Sequence, residues 1–335
     1  MVLYKIKTLI GVLFFYTLIF SCEGRRSIKS LDGNALGTSY NIKHDALEKN
    51  NIIKSKINEI IYKVNNSMST YIYDSDISKI NRGEKVVVDS LFLRVYHKSK
   101  EVWKKSKGVF DPTIGALVNA YGFGPQKKYV NQVSDIKIDS LLDITGWEKI
   151  KVNNEGILIK SNKNIRIDFN AIAKGYTVDL ISDYMTSINS KNYIIELGGE
   201  IVAKGLNPRT NKPWIVGIDN PEFNFHRTLF AKKSIFNGAL ATSGNYRKFR
   251  IDSVTGKKYT HTIDPRSGIP LESKILSVSV LANDCISADA WATSLMILSL
   301  NEGKEIIEKD SSLEALWIIS TLNGIKPVYS SGWIN

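Results

Sequence analysis

The 335-residue sequence contains only two cysteines and four histidines. Two cysteines permit at most one disulfide, which excludes a small fold held together mainly by disulfides. The few histidines, none of them in an HExxH pattern, argue against a multi-histidine zinc centre. The chain also lacks a CxxC pair, a GxxxxGK[ST] phosphate loop and a GxGxxG turn. A metal bound here should therefore have oxygen ligands, which magnesium and calcium prefer.

Clusters of basic residues are absent too, although Lys and Arg outnumber Asp and Glu by 45 to 33. No run of five occurs, and neither zinc-finger spacing nor an RNA-binding aromatic signature is present. A net charge of +12 spread in this way favours an anionic ligand or a membrane surface over nucleic acid. With 43% hydrophobic residues, the chain can form one large domain or two small ones.

The N-terminal segment has the layout of a secretory signal. Lys5 and Lys7 precede an apolar run at residues 9–20, which is shorter than the roughly 20 residues needed to span a bilayer. The run is followed by Ser21 and Cys22, a pair that resembles a bacterial lipobox. This resemblance implies cleavage before Cys22 and lipidation of its thiol; an ordinary signal peptide is the alternative.

Cleavage would divide the chain into a lipoprotein signal peptide, residues 1–21, and one mature domain, residues 22–335. The net charge would fall to about +10, because the signal carries two lysines and no acid. A lipidated Cys22 leaves Cys285 without an intramolecular partner. We expect the mature protein in the bacterial cell envelope, lipid-anchored and facing the periplasm. Glu23 leaves the choice between inner and outer membrane open.

The apolar pattern predicts an α+β fold, with antiparallel sheets flanked by helices in a single domain. Helices are expected at residues 52–64, 91–103, 173–187 and 287–300. Apolar, β-branched runs predict strands at residues 193–202, 214–219, 228–236 and 274–281. A turn at residues 153–156 predicts a hairpin, and the polar, Lys-rich residues 126–139 are interpreted as an insertion loop.

Asp289 and Thr293 are four residues apart on a predicted helix, so they share a face. Their neighbours are rich in Ala, Trp and Leu, and a carboxylate in such surroundings needs a cation or several hydrogen bonds. Asp289 is therefore a candidate metal ligand. The alternative is an acid in the first helical turn, with Ser287 as the N-cap.

Two further segments carry candidate chemistry. Residues 168–175 predict a strand ending at Asp168, a short turn and a helix starting near Ala173. N–H groups at a helix start, together with Lys174, suit a phosphate, although a plain connection with a solvated lysine fits equally well. His261 precedes an Asp-Pro-x-Ser-Gly turn in a dense polar cluster. A catalytic role for it competes with a structural one.

Eight segments, taken in order, resemble the ApbE family, the FAD:protein FMN transferases, over nearly the whole mature chain. They are residues 36–38, 68–71, 108–113 continuing into 121–125, 168–175, 196–200, 241–244, 261–268 and 288–293. The resemblance implies Mg²⁺-dependent transfer of FMN from FAD to a Ser or Thr hydroxyl of an exported acceptor protein. The product would be a phosphodiester-linked flavin, with release of AMP.

The resemblance also implies roles for individual residues. Asp289, Thr293 and the backbone carbonyl of Ala171 match the magnesium ligands. The positions that match FAD contacts are Leu36, Tyr71, Val109, Phe110, Asp111, Asp168, Lys174, Ile263 and Ala292. Leu36 stands where methionine is common, and Asn170 replaces a frequent serine or glycine. His261 is the candidate to accept the proton of the attacking hydroxyl, because a metal would occupy Asp289.

Two other functions stay open at this point. An FAD pyrophosphatase would use the same metal site with water as the nucleophile and would release FMN and AMP. A flavin-binding lipoprotein without catalysis would need no metal, so the Asp289 and Thr293 pair argues against it. A purely structural lipoprotein leaves the ordered segments unexplained. The partners implied are FAD, an exported acceptor protein and a membrane, with no nucleic acid.

Overall fold

The computed structural model describes residues 27–125, 133–222, 228–245, 249–251 and 258–333. Its helices are α1 (Asn50–Met68), α2 (Asp76–Arg82), α3 (Ser90–Lys105), α4 (Gly115–Ala120), α5 (Asp135–Leu142), α6 (Ala173–Ser187), α7 (Cys285–Ile297) and α8 (Leu300–Glu308). A single 3-10 turn occupies Trp147–Lys149. Within the described ranges, every helix is too short or too polar to cross a membrane.

The strands come in groups between these helices. They are β1 (Lys29–Ala35), β2 (Thr38–His44), β3 (Ile150–Val152), β4 (Leu158–Lys160), β5 (Tyr193–Leu197), β6 (Glu200–Lys204), β7 (Leu206–Asn207), β8 (Lys212–Asp219), β9 (Leu229–Ile235), β10 (Gly238–Gly244), β11 (Phe249–Ile251), β12 (Lys258–Thr260), β13 (Ile263–Asp264), β14 (Ile269–Pro270), β15 (Ile275–Ala282), β16 (Glu314–Thr321) and β17 (Gly324–Tyr329).

An eight-stranded antiparallel sheet with the order β1-β2-β5-β6-β10-β15-β16-β17 forms the centre of the molecule. A second, three-stranded sheet has the order β7-β8-β9, and three two-stranded sheets pair β3 with β4, β11 with β12 and β13 with β14. The α+β prediction with antiparallel sheets is therefore confirmed.

The central sheet is buried on both faces. Successive side chains of a strand point to opposite faces. In β16, Ala315 and Trp317 accordingly belong to the core under the helices, whereas Leu316 and Ile318 belong to a second core. The three-stranded sheet covers that second core, to which β8 contributes Trp214 and two further residues. The molecule thus has three layers: helices, large sheet and small sheet.

Helix α7 lies at the centre of the helical layer, where it packs on β10, β15, α3 and α6. Eleven of its residues are buried, among them Trp291 and Leu295. A helix that is apolar on all sides is expected in such an interior position. Any polar side chain on α7 is consequently placed by tertiary contacts rather than by solvent.

The helices predicted at residues 52–64, 91–103 and 173–187 are confirmed as parts of α1, α3 and α6. The predicted hairpin at residues 153–156 joins β3 to β4. The predicted helix at residues 287–300 begins two residues earlier and ends at Ile297, after which Ser299 caps α8.

Two sequence predictions are wrong. Residues 135–139 belong to α5, because Ile138 is buried against Ala120 and Val133 and so favours a helix over a loop. Asp168 does not end a regular strand, since the segment before it makes only one bridge, between Arg166 and Ile114. Residues 1–26, which include the predicted signal and Cys22, and residues 126–132 lie outside the described part of the chain.

Candidate active site at a helix crossing

Asp289 and Thr293 lie on one face of α7, as predicted. Asp289 is only 3% exposed, and its Oδ2 accepts a hydrogen bond from the N–H of Gly175 at 2.9 Å. The Thr293 hydroxyl lies 3.3 Å from the hydroxyl of Ser243 on β10. Both side chains therefore face the junction of α7 with α6 and the central sheet.

The alternative interpretation, in which Ser287 is the N-cap of this helix, is wrong. Asp284, rather than Ser287, caps α7, and its Oδ1 accepts the N–H of Ser287 at 3.1 Å. Ser287 is thus the third residue of the helix. Because Asp284 satisfies this N–H, Asp289 is not required as a local first-turn acid, and its carboxylate turns to α6 instead.

The start of α6 is built by the segment that includes Asp168. The carbonyl of Phe169 accepts the N–H groups of Ile172 and Ala173 at 3.0 and 2.8 Å, and the helix begins at Ala173 as predicted. The Asp168 carboxylate accepts the backbone N–H of Asn170 at 2.7 Å and its side-chain amide at 3.1 Å. Burial raises the pKa of Asp168, and these two bonds oppose that rise.

The helix start offers fewer free N–H groups to an anion than the sequence suggests. Ala173 donates to Phe169 and Gly175 donates to Asp289, so two of the first three N–H groups of α6 already have acceptors. A phosphate at this helix start would therefore rely mainly on the side chain of Lys174.

The two helices cross in contact at Gly175. A Cβ atom at this position would lie 2.3 Å from the carbonyl oxygen of Cys285 and 2.7 Å from the Cβ of Asp289. Only glycine allows the backbones to approach this closely. Cys285 itself is buried and unpaired within the described residues. This contact places the first turn of α6 against the first turn of α7.

Lys174 joins the cluster as its cation. Its ammonium pairs with Glu200 at the start of β6 and lies 3.8 Å from Asp289 Oδ1. Burial alone lowers the pKa of Lys174, but the charges of Asp289 and Glu200 outweigh this and raise it above its ordinary value. Lys174 is therefore a positive charge at neutral pH, partly exposed and next to two buried acids.

Glu200 is the site residue that the sequence analysis did not single out. It is 3% exposed, and its Oε2 has no hydrogen-bond partner within the described part of the chain. Burial raises the pKa of Glu200 above its ordinary value, against the opposing attraction of Lys174. The sequence signal for this position is an acid that directly follows Gly198 and Gly199 and begins an apolar strand.

The residues at the crossing fit a magnesium ion. Asp289 supplies a carboxylate and Thr293 a hydroxyl. Gly175 donates its N–H to Asp289 rather than to the carbonyl of Ala171, four residues earlier in the chain. No group of three His, Cys, Asp or Glu residues suited to a metal occurs among the described residues. One carboxylate with neutral oxygens matches the way Mg²⁺ binds together with substrate phosphates.

Tyr71 and His261 each contact Phe123, and these three residues are called the aromatic group below. Tyr71 is 62% exposed, and its hydroxyl lies 3.5 Å from the carbonyl of Phe123. The ring centroids of Phe123 and half-buried His261 are 6.4 Å apart. Burial, and after it the charge of Asp168, raises the pKa of Tyr71. The electrostatic effect of Asp168 links this aromatic group to the segment that starts α6.

The chain after His261 is also tied to the strand that carries Ser243. The hydroxyl of Thr262 donates to Asn245 Oδ1 at 2.7 Å, and Asn245 directly follows β10. Two residues earlier, Ser243 contacts Thr293. One end of β10 thus connects the His261 segment to α7.

The other predicted FAD positions are in different surroundings. Leu36 lies at the turn between β1 and β2, with a φ of 49°, and borders a depression of about 440 Å³. The predicted positions whose side chains are buried are Val109, Phe110, Asp111, Ile263 and Ala292. Their contacts with FAD stay predictions.

Asp111 already has three protein donors. Its Oδ1 accepts the N–H and the hydroxyl of Thr113 at 2.9 and 2.6 Å, and its Oδ2 accepts the N–H of Trp147 at 2.9 Å. In this structure the carboxylate therefore fixes the loop at residues 108–113.

The ApbE family model matches residues 36–317. An FAD:protein FMN transferase of Vibrio cholerae is 33% identical over 322 residues, covering 94% of this chain and 95% of its own length. That of Escherichia coli K12 is 28% identical and covers 84% and 81%, respectively.

Solved structures show the same likeness. A flavin transferase ApbE from Vibrio cholerae matches with a TM-score of 0.83 at 32% identity, covering 92% of this chain and 99% of the other. The apo form of the Pseudomonas stutzeri flavinyl transferase ApbE matches with a TM-score of 0.80 at 26% identity, covering 91% and 95%. Fold and site thus define a protein of the flavin transferase class. The chain belongs to the ApbE family, which confirms the resemblance found in the sequence.

The close approach at Gly175 predicts that substitution by alanine lowers the stability of the protein instead of raising it. Gly to Ala within a helix ordinarily stabilises by about 1 kcal/mol. Gly175→Ala should instead lower the free energy of unfolding by about 1–3 kcal/mol, because the added Cβ meets backbone atoms. Urea unfolding followed by circular dichroism measures this difference.

Gly303→Ala on α8 is the matched control. A Cβ there meets side-chain atoms of Leu295 and Trp317, at 3.0 and 3.4 Å, and no backbone atom among its three nearest neighbours. Its loss of stability should be clearly smaller. Equal stability of the two variants would show that α6 and α7 are not in contact at Gly175.

Proposed function

We propose that this protein transfers FMN from FAD to a Ser or Thr hydroxyl of an exported acceptor protein, in a Mg²⁺-dependent reaction that releases AMP. The observation that carries the proposal is the buried cluster at the crossing of α6 and α7. It joins a lysine of raised pKa to the carboxylate of Asp289 and the hydroxyl of Thr293, which lies on the same face of α7. Relatives similar over nearly the whole chain are named FAD:protein FMN transferase.

The residues of the crossing would hold the pyrophosphate of FAD. Asp289, Thr293 and the carbonyl of Ala171 are the ligands for the metal. When bound, Mg²⁺ would neutralise pyrophosphate oxygens and ease the departure of AMP. Lys174 keeps its positive charge beside the phosphates because Asp289 and Glu200 raise its pKa. Positioning and charge stabilisation of this kind dominate phosphoryl transfer.

In the reaction itself, the acceptor hydroxyl attacks the phosphorus of the FMN half. A new phosphorus–oxygen bond forms, and the bond from that phosphorus to the bridging oxygen breaks, so this oxygen leaves with AMP. His261 accepts the proton of the attacking hydroxyl. Tyr71 and Phe123 provide an aromatic wall beside His261 for a flat ring of the substrate.

The location of the protein is part of the same proposal. A basic, apolar N-terminal segment that ends before Cys22 supports export and lipidation at this cysteine. Residues 23–28 separate Cys22 from β1, so the catalytic domain would sit close to the envelope membrane. An exported acceptor protein would be within reach there.

The transfer predicts a covalent flavin on the acceptor. The full chain is purified in detergent and incubated with FAD, Mg²⁺ and envelope proteins from cells lacking its gene. Flavin fluorescence should survive denaturation on an acceptor band, and mass spectrometry should find a Ser or Thr heavier by FMN less one water. His261→Ala should slow the reaction by about 10²–10⁴-fold, and Asp289→Ala should abolish its dependence on Mg²⁺.

Asp139→Ala serves as the control, because this aspartate is exposed on α5. It should react at the wild-type rate. Release of AMP without any labelled protein would identify a pyrophosphatase instead. Absence of both products with Mg²⁺ and with Mn²⁺ would contradict the proposed function.

The lipid anchor predicts a change in membrane partition. Wild-type protein should label with radioactive palmitate and enter the detergent phase of a Triton X-114 extraction. Cys22→Ala should lose the label and shift to the aqueous phase or retain its uncleaved signal. A wild-type protein that carries no label would leave an ordinary signal peptide as the explanation of residues 1–21.

A further inference from the structure

Asp179 lies on α6 and receives no role from the proposed reaction. Its Oδ1 accepts the N–H of Cys285 and its Oδ2 accepts the N–H of Ile286, both at 2.8 Å. These are the first two N–H groups of α7. A carboxylate on one helix thus caps the start of another, and favourable interaction with the helix dipole adds to these two bonds.

The start of α7 has a second acidic partner, Asp284, which binds a different N–H group. Asp284 accepts the N–H of Ser287, the third residue of the helix, and its Oδ2 lies 3.7 Å from a guanidinium nitrogen of Arg94. Because Asp284 precedes α7 directly in the chain, it stabilises the helix start. Asp179 belongs to α6, so its bonds determine where α7 lies relative to α6.

The two helices cap each other. Asp179 of α6 accepts from the start of α7, and Asp289 of α7 accepts from Gly175 near the start of α6. The contact residues are one helical turn apart on each helix, about 6 Å along the axis. Two such contacts fix both the sliding and the rotation of one helix against the other. Without the contact at Asp179, the hydrogen bond at Gly175 would remain as the other contact of this pair, and Asp289 and Thr293 would be positioned less accurately.

We propose that Asp179 is a positioning residue of the cation site: through Cys285 and Ile286 it sets the place of Asp289 and Thr293 relative to Ala171. This inference rests on the metal site of the proposed function. Burial raises the pKa of Asp179 to about 7 against the opposing effect of its two N–H bonds, and the charges of Asp284 and Asp183 add to the rise. Asp179 is thus a carboxyl group in surroundings that disfavour its charged form.

The test is Mn²⁺ affinity, measured by electron paramagnetic resonance on the full chain in detergent without FAD. Residues that orient metal ligands without binding the metal themselves typically contribute about 10–100-fold to the metal affinity. Asp179→Asn keeps the shape of the side chain but can accept only through its single oxygen. It should weaken Mn²⁺ binding by about 10–100-fold, while circular dichroism shows a folded chain.

Asp45→Asn is the matched control. Asp45 accepts four hydrogen bonds, from Ser190, Lys191 and both nitrogens of Asn192, at 2.8–3.1 Å. This cap lies beyond the other end of α6 and makes no bond to α7. Asp45→Asn should therefore lower stability against urea while retaining wild-type Mn²⁺ affinity.

A folded Asp179→Asn chain with wild-type Mn²⁺ affinity would reduce Asp179 to a helix cap and overturn the inference. If this variant does not fold, Asp179→Glu applies the same test, since it keeps the charge but adds a methylene group between the helices. Weakened Mn²⁺ binding by Asp179→Glu supports the inference, and wild-type affinity overturns it. Failure of the wild-type chain to bind Mn²⁺ both without and with FAD would instead contradict the metal site itself.

Discussion

The mutual capping of two buried helices is the constraint on which the site depends. Asp289 accepts a hydrogen bond from α6, Asp179 accepts two from α7, and Gly175 lets the backbones touch. Each carboxylate satisfies N–H groups that would otherwise be buried without partners. The same arrangement brings the Lys174 ammonium next to two buried acids, Asp289 and Glu200, beside the oxygen atoms proposed to bind the metal. The same few contacts therefore hold the two helices together and position the groups proposed to take part in the reaction.

The central sheet makes this crossing rigid. Because β16 and its neighbours are buried on both faces, the sheet cannot shift toward solvent, and α7 packs on β10 and β15. Glu200 at the start of β6 pairs with Lys174, and Ser243 on β10 contacts Thr293. Sheet and helices thus reach the cluster from opposite sides. A site built on regular elements in this way keeps its ligands in place more accurately than one built on loops.

The sequence allowed prediction of features that depend on local pattern. The shared face of Asp289 and Thr293 follows from helical spacing, and the start of α6 at Ala173 follows from its turn. Contacts between distant segments were not predictable. The N–H of Gly175 seemed free for a phosphate, but its acceptor is 114 residues away. Asp179 reads as an ordinary helical acid because its partner Cys285 is 106 residues away. The physical reason is that burial and pairing of charges arise from tertiary packing.

The most direct test of the central claim is where a divalent cation binds. Crystals of the protein soaked in Mn²⁺ would give an anomalous difference map that shows the ion itself. The account predicts a peak bonded to the Asp289 carboxylate, the Thr293 hydroxyl and the carbonyl of Ala171, at the crossing of α6 and α7. A map in which Mn²⁺ binds only elsewhere, with Asp289 bonded solely to Gly175, would contradict it.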